Sequence, residues 1–153
     1  MLQVRPSRPL DYQQVLALAA ELRAQLENPA HFNWSPEALA SELAEATTWV
    51  AVERASIVSF VCYRSSFEGL EISVLGTALG FRRQGAQSQL LQSLQAHAAQ
   101  SQKSVRLEVH AQNIGARKLY EKYGFKELRR RRSYYSDGGD ALELIWPAHK
   151  AGC

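Results

Sequence analysis

Residues 77–91 have the sequence Thr-Ala-Leu-Gly-Phe-Arg-Arg-Gln-Gly-Ala-Gln-Ser-Gln-Leu-Leu, and the hydrophobic period changes across them. Upstream, residues 70–77 are rich in apolar and β-branched side chains, which predicts a strand. Downstream, Leu90, Leu91 and Leu94 recur at the spacing of a helix. The chain is therefore predicted to pass from a strand through a short turn into an amphipathic helix.

The turn between strand and helix contains Gly80, Arg82, Arg83 and Gly85. A strand that turns through glycine into a helix directs several free backbone N–H groups at one point, where the helix dipole adds about half a positive charge. That arrangement is typical of a phosphate site, and the two arginines would add further charge. Neither common nucleotide motif is present, since the chain has no Gly-x-Gly-x-x-Gly and no Gly-Lys-Ser/Thr.

Two further stretches make the pattern specific. Arg-Leu-Glu-Val-His at 106–110 predicts a short strand, and Leu-Tyr-Glu-Lys-Tyr-Gly-Phe at 119–125 follows after Asn113. With Arg-Arg-Gln-Gly-Ala-Gln at 82–87, these stretches closely resemble the GNAT family of acetyl-CoA-dependent N-acetyltransferases, whose phosphate turn has the form Gln/Arg-x-x-Gly-x-Gly/Ala. The resemblance covers about residues 33–146 and, within the family, is strongest to the RimI branch, the ribosomal-protein N-terminal alanine acetyltransferases.

The bulk properties suit a small enzyme of this kind. The 153 residues, with 22% charged and 46% apolar side chains, predict a single N-acetyltransferase domain spanning 1–153. No apolar run is long enough to span a membrane, and the two cysteines favour reduced thiols in the cytoplasm. The net charge of +3 favours anionic ligands such as coenzyme A, and no nucleic-acid binding is expected. No His/Cys spacing suits a metal, so the four histidines are predicted to be incidental.

The order of the predicted elements is that of an α/β protein. They are a strand at 2–5, a helix from Asp11 that ends before Asn28, a helix from Ser35 to Ala46, a hairpin of 47–53 and 57–63, a strand at 70–77, a helix at 83–101, a strand at 105–110, a helix at 114–123, and a hairpin of 125–135 and 141–146. The resemblance implies the GNAT version of this class, a mixed, mostly antiparallel sheet with helices on both faces and with strands four and five splayed.

The resemblance also implies that the splay of strands four and five holds acetyl-CoA. Diverging strands leave backbone groups that need hydrogen-bond partners, and in the family the pantetheine amides of coenzyme A supply them. The residues implied to contact the cofactor are Leu75, Gly76 and Thr77 on the fourth strand, Arg82, Arg83, Gln84, Gly85, Ala86, Gln87 and Ser88 in the phosphate turn, and Asn113. Gln87 departs from the family, which usually has Gly or Ala where the backbone must approach closely, so its side chain is expected to swing away.

Two carboxylates compete for the role of the general base that deprotonates the attacking amine. Glu108 matches the glutamate of the RimI branch, inside Leu-Glu-Val on the fifth strand, and is the preferred candidate. Glu71 falls where the histone acetyltransferase branch has its base, on the fourth strand, and is otherwise expected to bind the acceptor. An ordinary solvated strand carboxylate is the alternative interpretation of each.

Tyr120 is predicted to protonate the departing thiolate. A thiol has a pKa near 8.5 and a phenol one near 10, so a hydrogen-bonded tyrosine can donate to the sulfur. Asn113 lies seven residues earlier, two helical turns, and both side chains can therefore face the cofactor. The alternatives are core packing beside Leu119 for Tyr120 and a helix cap for Asn113.

Residues 129–132 are four consecutive arginines. On a strand they would alternate, with one pair in solvent and the other bordering the cleft mouth, so a solvated strand face and the guidance of an acidic or ribosomal partner are both open. Tyr134 and Tyr135 resemble the tyrosines that close over the peptide N-terminus in the RimI branch, and are therefore implied to bind the acceptor.

The predicted function is acetyl-CoA-dependent transfer of acetyl to a primary amine, by direct attack in a ternary complex. The preferred acceptor is a protein N-terminal α-amine, with a ribosomal protein as one candidate. Two alternatives are acetylation of a small-molecule amine and a non-catalytic acyl-CoA-binding or ribosome-binding module. The joint presence of Glu108, Tyr120 and Asn113 argues against the non-catalytic module.

Overall fold

The structure, a computed structural model, describes residues 2–78, 80 and 85–148. Over those residues the strands and helices are β1 Leu2–Pro6, α1 Tyr12–Gln25, α2 Pro36–Glu45, β2 Thr47–Glu53, β3 Ser56–Ser66, β4 Gly69–Thr77, α3 Ala86–Gln100, β5 Ser104–His110, α4 Ile114–Lys122, β6 Lys126–Arg131 and β7 Ala141–Trp146. Short 3-10 turns at Pro9–Asp11 and Pro29–His31 precede α1 and α2.

The seven strands of the described residues form one sheet in the order β1-β2-β3-β4-β5-β7-β6. Each neighbouring pair is antiparallel except β4 and β5, which run parallel with α3 as the crossover between them. The predicted fold class, an α/β fold with a mixed and mostly antiparallel sheet, is therefore confirmed.

An apolar core forms on each face of the sheet. On one face, α1 and α2 pack against β2, β3 and β4 through Val15, Leu18, Leu22, Leu39, Leu43, Val50, Phe60 and Val74. On the other face, α3 and α4 cover the middle strands and β7 through Leu90, Leu91, Leu94, Tyr120, Val105, Leu107, Val109, Leu142 and Leu144. The residues on α1 and α3 recur every three or four positions, which is the helical periodicity seen in the sequence.

Local signals set where α2 begins. Ser35 Oγ accepts a hydrogen bond from the Ala38 N–H at 3.1 Å, and Pro36 is the first helical residue, as its fixed φ allows. Across residues 2–78, 80 and 85–148, no helix is both long enough and apolar enough to cross a membrane.

β4 and β5 pair only over their first residues. The register joins Gly69 to Ser104, Leu70 to Val105 and Glu71 to Arg106, and beyond that point β4 pairs with β3 and β5 with β7. Gly69 permits the close start, because a Cβ there would lie 2.5 Å from Ser104 Oγ and its φ of 146° disfavours other residues. The predicted splay of strands four and five is present, and it opens towards the carboxyl ends of both strands.

The last hairpin is shorter than predicted. β6 ends at Arg131 rather than at Tyr135, and Ser133 has a φ of 50°, a left-handed conformation that a strand cannot contain. The Ser133 N–H donates to Asp140 Oδ1 at 2.9 Å and the Tyr135 N–H to the Gly139 carbonyl at 3.1 Å, which closes the segment on itself. Tyr135 therefore lies in a loop of residues 132–140 and not on the strand.

Two phenylalanines provide a matched test of the core. Phe60 is 0% exposed in the core under α1, whereas Phe67 is fully exposed at the β3–β4 turn. Phe60→Ala should lower the free energy of unfolding by about 3–5 kcal/mol, because it removes buried surface and leaves a cavity. Phe67→Ala should change it by less than about 0.5 kcal/mol in the same urea titration. Equal effects would contradict this assignment of the core.

Candidate active site

The gap between β4 and β5 exposes backbone of the fourth strand. The Gly76 carbonyl accepts a hydrogen bond from Ser59 Oγ at 2.8 Å, and the Ala78 N–H donates to the Val58 carbonyl at 2.8 Å, so both residues face β3. Because successive residues of a strand present their N–H and C=O groups to opposite sides, Leu75 and Thr77 direct theirs towards the gap.

The backbone of Gly76 does not face the gap, where it was predicted to contact the cofactor. It was expected to offer backbone to the cofactor beside Leu75 and Thr77, but its carbonyl is directed at β3. A Cβ at this position would lie 2.7 Å from Leu22 Cδ1 and 2.9 Å from Phe60 Cε1. The close packing of Leu22 and Phe60 at this point therefore favours glycine.

The helix α3 follows β4 in the chain, and its amino end is the predicted phosphate site. Gly85 is the residue before the helix and has a φ of 86°, the left-handed conformation that favours glycine. Within the part of the chain that the structure describes, no side chain caps this helix, so the N–H groups of Ala86, Gln87 and Ser88 can face an anion. Ala86 is buried, whereas Gln87 and Ser88 are half-buried and accessible. The predicted contacts of Arg82, Arg83 and Gln84 lie outside the described residues.

Asn113 directly precedes α4, and Tyr120 lies near the carboxyl end of that helix. Asn113 Oδ1 accepts a hydrogen bond from the Ala116 N–H at 3.3 Å, so this side chain is the helix cap considered as the alternative to a cofactor contact. Tyr120 is buried, and its ring meets Phe125 edge-on with the centroids 5.7 Å apart. Burial raises the pKa of Tyr120 well above its ordinary value. Its phenol is therefore protonated at neutral pH and is a weaker acid than an exposed tyrosine.

A charged cleft of about 220 Å³ opens on the opposite face of the sheet. Along β5, Val105, Leu107 and Val109 face the α3 side, so the alternate residues Arg106 and Glu108 face this cleft. The charged residues that line it are Glu68, Glu71, Glu108, Glu143, Arg106, Arg129 and Arg131. Both candidate bases, Glu71 and Glu108, thus lie in the same cleft, with one formal negative charge in excess.

Ion pairs distinguish the two candidate bases. Arg131 Nε lies 3.4 Å from Glu108 Oε1, and the Glu108 side chain is still 28% exposed. Glu71 is exposed and has no ion-pair partner among the residues that the structure describes. One carboxylate therefore has a guanidinium group as its ion-pair partner, and the other has no such partner among the described residues.

The four arginines are not a simple solvated face. Arg129 forms a hydrogen-bonded ion pair with Glu143, Arg130 pairs with Asp140 at 3.0 Å, and Arg131 pairs with Glu108. Glu143 is buried and also lies 3.6 Å from Arg106. Arg129 and Arg131 line the cleft, as expected for one alternating pair, and all four arginines are exposed, although three of them also pair with carboxylates of the neighbouring strands and loop.

Tyr134 and Tyr135 lie beside the cleft. Their rings are perpendicular, with centroids 5.2 Å apart, and the Arg131 guanidinium lies 5.6 Å from the centre of the Tyr134 ring. Burial and then the negative charge of Glu108 raise the pKa of Tyr135 to about 12. The structure therefore brings both tyrosines to the same side of the sheet as Glu108.

Sequence reasoning missed His110. This residue was expected to be incidental, yet it is buried at the end of β5 and its Nε2 contacts the Asp137 carboxylate at 2.8 Å. The available signal was its position two residues after Glu108, which places both on one face of the strand. Among the described residues, no group of three His, Cys, Asp or Glu side chains is arranged to hold a metal ion.

Comparisons with known proteins agree with this arrangement. Residues 11–142 match the acetyltransferase (GNAT) domain family. An N-alpha-acetyltransferase from Sulfurisphaera tokodaii is 42% identical over 69 residues, 44% of this chain and 41% of that protein, so the matched stretch spans less than half of the relative.

Solved structures extend the likeness over nearly the whole chain. The ribosomal-protein-S18-alanine N-acetyltransferase from Escherichia coli superposes with a TM-score of 0.83 at 27% identity, over 99% of this chain and 97% of that one. A GNAT family acetyltransferase from Elizabethkingia anophelis, with acetyl-CoA bound, has a TM-score of 0.74 over 95% of this chain and 97% of its own, and at 20% identity supports the fold alone. The family match covers most of the chain, and the chain therefore belongs to the GNAT acetyltransferase family.

Proposed function

We propose that this protein transfers the acetyl group of acetyl-CoA to a protein N-terminal α-amine, by direct attack in a ternary complex. The observation that carries the proposal is the placement of β5. Its edge borders the gap to β4, and its outer face carries Glu108 in the charged cleft. A cofactor in the gap and an amine in the cleft would meet at this strand.

The gap and the start of α3 fit a pantetheine arm and a pyrophosphate. Leu75 and Thr77 offer backbone groups to amides in the manner of an added strand. The N–H groups of Ala86, Gln87 and Ser88 offer an anion site at the end of the helix dipole. Bound acetyl-CoA would supply the thioester whose acetyl group is transferred.

Glu108 is the proposed general base. Its Oε1 faces Arg131, which fixes the orientation of the carboxylate while Oε2 is left to accept a proton from the amine, directly or through one water. Exposed Glu71, which faces the same cleft, would hold the ammonium form of the incoming acceptor before it loses that proton.

Tyr120 is the proposed proton donor to sulfur. As the amine attacks the thioester carbonyl and the C–S bond breaks, the leaving thiolate needs a proton. The protonated phenol of Tyr120 can hydrogen-bond to the developing charge and then give up its proton. Because burial raises the pKa of this phenol, the donation depends on the thiolate being equally withdrawn from water.

The balance of charge favours a singly charged acceptor. Glu143 is shared by Arg106 and Arg129, and Glu108 is paired with Arg131. The net excess of one negative charge suits a single ammonium group, and Glu68 and Glu71 are the lining carboxylates without an ion pair among the described residues. Tyr134 and Tyr135 would contact the first residues of an extended peptide, and a ribosomal protein with N-terminal alanine is a candidate acceptor.

The roles of the carboxylates can be separated by isosteric variants. Glu108→Gln should lower turnover about 10²-fold or more, because it removes the base and keeps the shape. Its effect on acetyl-CoA binding should be small. Glu71→Gln should mainly raise KM for the acceptor, and Glu68→Gln, which changes another carboxylate lining the same cleft, is the matched control. A larger loss of turnover in Glu71→Gln than in Glu108→Gln would move the base to β4.

Variants of two helix-capping residues can distinguish a cofactor contact from a purely structural role. Asn113→Ala and Ser35→Ala should each lower the free energy of unfolding by about 1 kcal/mol through the loss of a capping acceptor. Only Asn113→Ala should also weaken acetyl-CoA binding, measured by calorimetry on both proteins. Equal affinities in the two variants would leave Asn113 as a cap alone.

The acceptor is tested with matched peptides. An α-amine has a pKa near 8 and a lysine amine one near 10.4, so roughly a tenth of free α-amines are deprotonated at neutral pH, against less than about a thousandth of lysines. A peptide that begins with Ala or Ser should be acetylated faster than the same peptide with a blocked N-terminus and an internal lysine. Mass spectrometry locates the acetyl group. Acetylation of lysine or polyamines alone would contradict the proposal.

A further inference from the structure

His110 is fixed at both ring nitrogens. Its side chain is 1% exposed, and Nδ1 accepts a hydrogen bond from the Gln112 N–H at 3.1 Å. Because that N–H can only donate, Nδ1 carries no proton, and in the neutral ring the proton is on Nε2. Nε2 then donates to the carboxylate of Asp137, at 2.8 Å from Oδ2 and 3.0 Å from Oδ1.

Asp137 extends this contact to a second segment of the chain. Its Oδ2 accepts a hydrogen bond from Asn28 Nδ2 at 2.8 Å, and its Oδ1 accepts one from the Gly139 N–H at 2.8 Å. The bonds from Asn28 and Gly139 lower the pKa of Asp137 to about 2, so its carboxylate is ionised at neutral pH. Asn28 is itself held, since its Oδ1 accepts from the Ala30 N–H at 3.0 Å.

Rings and backbone close around the imidazole. The Tyr135 ring stacks on His110 with centroids 4.8 Å apart and an angle of 22°, and His31 packs on it at 4.6 Å. A Cβ added at Gly139 would lie 2.2 Å from His110 Nε2, although the backbone of Gly139 is otherwise ordinary. The segment 132–140 thus touches His110 through a side-chain ring, a carboxylate and a glycine backbone.

These contacts lead directly to the charged cleft. Tyr135 contacts Tyr134, Tyr134 contacts Arg131, and Arg131 pairs with Glu108. A shift of the segment 132–140 would therefore move the wall of the cleft beside the proposed base. The cofactor gap lies between β4 and β5, with α3 as the crossover; of this set only His110 is on one of these elements, and its side chain is on the face of β5 opposite α3.

We propose that His110, Asp137 and Asn28 form a clasp that fixes the segment 132–140 to the turn before α2 and so positions Tyr135 for acceptor binding. The members of the clasp are positioning residues, since they act through Tyr135. The substrate part of this inference rests on the proposed function. Its consequence is that breaking the clasp impairs use of the acceptor and spares the binding of acetyl-CoA.

Acceptor saturation curves at saturating acetyl-CoA test the clasp. His110→Phe keeps a ring and loses both nitrogens, Asp137→Ala removes the shared acceptor, and Asn28→Ala is a milder change at a half-buried position. Each should raise KM for an Ala-initiated peptide, about 10-fold for the first two, with kcat within about threefold and the acetyl-CoA dissociation constant within about twofold. Unchanged KM in all three, or a parallel loss of acetyl-CoA affinity, would overturn the proposal.

Asp11→Ala is the matched control. Asp11 is also buried and also paired, with Arg5 at 2.7 Å, but it lies in the 3-10 turn before α1, and Arg5 is on β1 at the other edge of the sheet. It should lower stability without raising KM for the acceptor. If Asp11→Ala raises KM as much as Asp137→Ala does, the effect reports destabilisation and the clasp is rejected.

The contact between the imidazole and Gly139 gives a second, independent measurement. Gly139→Ala should raise KM for the acceptor, because its new methyl group displaces the His110 ring. In a His110→Ala background the ring is absent and only Asp137 Oδ1, 2.9 Å from such a Cβ, remains as a close contact, so adding Gly139→Ala should raise KM less than it does in wild type. Additive losses in the double variant would show that the glycine acts independently of His110.

Limited proteolysis tests whether the clasp restrains the segment 132–140, and this test does not depend on acetyltransferase activity. Trypsin cleavage after Arg132, followed by mass spectrometry, should be about fivefold faster in Asp137→Ala than in wild type or Asp11→Ala. If no N-terminal peptide is acetylated by wild type but this acceleration is found, the proposed function fails and the clasp stands. Equal cleavage rates in all three proteins would overturn the clasp itself.

Discussion

The parting of β4 and β5 is the constraint on which the rest of the site depends. The two parallel strands stay in register only as far as Glu71 and Arg106. Beyond these residues one edge of each strand loses its partner, and buried backbone groups do not stay unpaired without cost. A ligand with amide groups satisfies such an edge in the way that a strand would. The same opening brings the amino end of α3 to the site, because α3 is the crossover that joins the two strands.

β5 borders both the gap between β4 and β5 and the charged cleft. Its alternation sends Val105, Leu107 and Val109 into the core under α3 and α4, and Arg106, Glu108 and His110 to the other face. A strand with period two is the simplest way to place an apolar support and a reactive carboxylate on adjacent residues. Since Glu108 is on a paired strand rather than in a loop, its backbone position is set by hydrogen bonds to β7.

Electrostatic pairing organises the cleft more than net charge does. Glu143 is buried and forms ion pairs with both Arg106 and Arg129. Such pairs are costly to desolvate and contribute little net stability, but they orient the groups that they contain. Here they leave Glu108 oriented by one guanidinium and Glu71 free among the described residues, which is a division between a positioned base and a binding carboxylate.

Several features were decided by the sequence alone. Among the described residues, hydrophobic periodicity located the four α-helices and six of the seven strands closely, because it reports which face of an element is buried. The resemblance carried by Leu-Glu-Val at 107–109 and Leu-Tyr-Glu-Lys at 119–122 indicated the family, and the family is confirmed. Glu71, Glu108 and Tyr120 were also named from sequence, although their roles remain proposals.

Only the tertiary structure decided how these residues are connected. Asn28 and Asp137 are 109 residues apart in sequence, and no local pattern predicts that they share a hydrogen bond. The pairing of Arg131 with Glu108 depends on the register of three strands, and the carbonyl of Gly76 is turned towards β3 by a local alternation that a one-residue shift would reverse. Periodicity shows which face a residue occupies, but contacts between distant segments depend on strand order, register and loop closure.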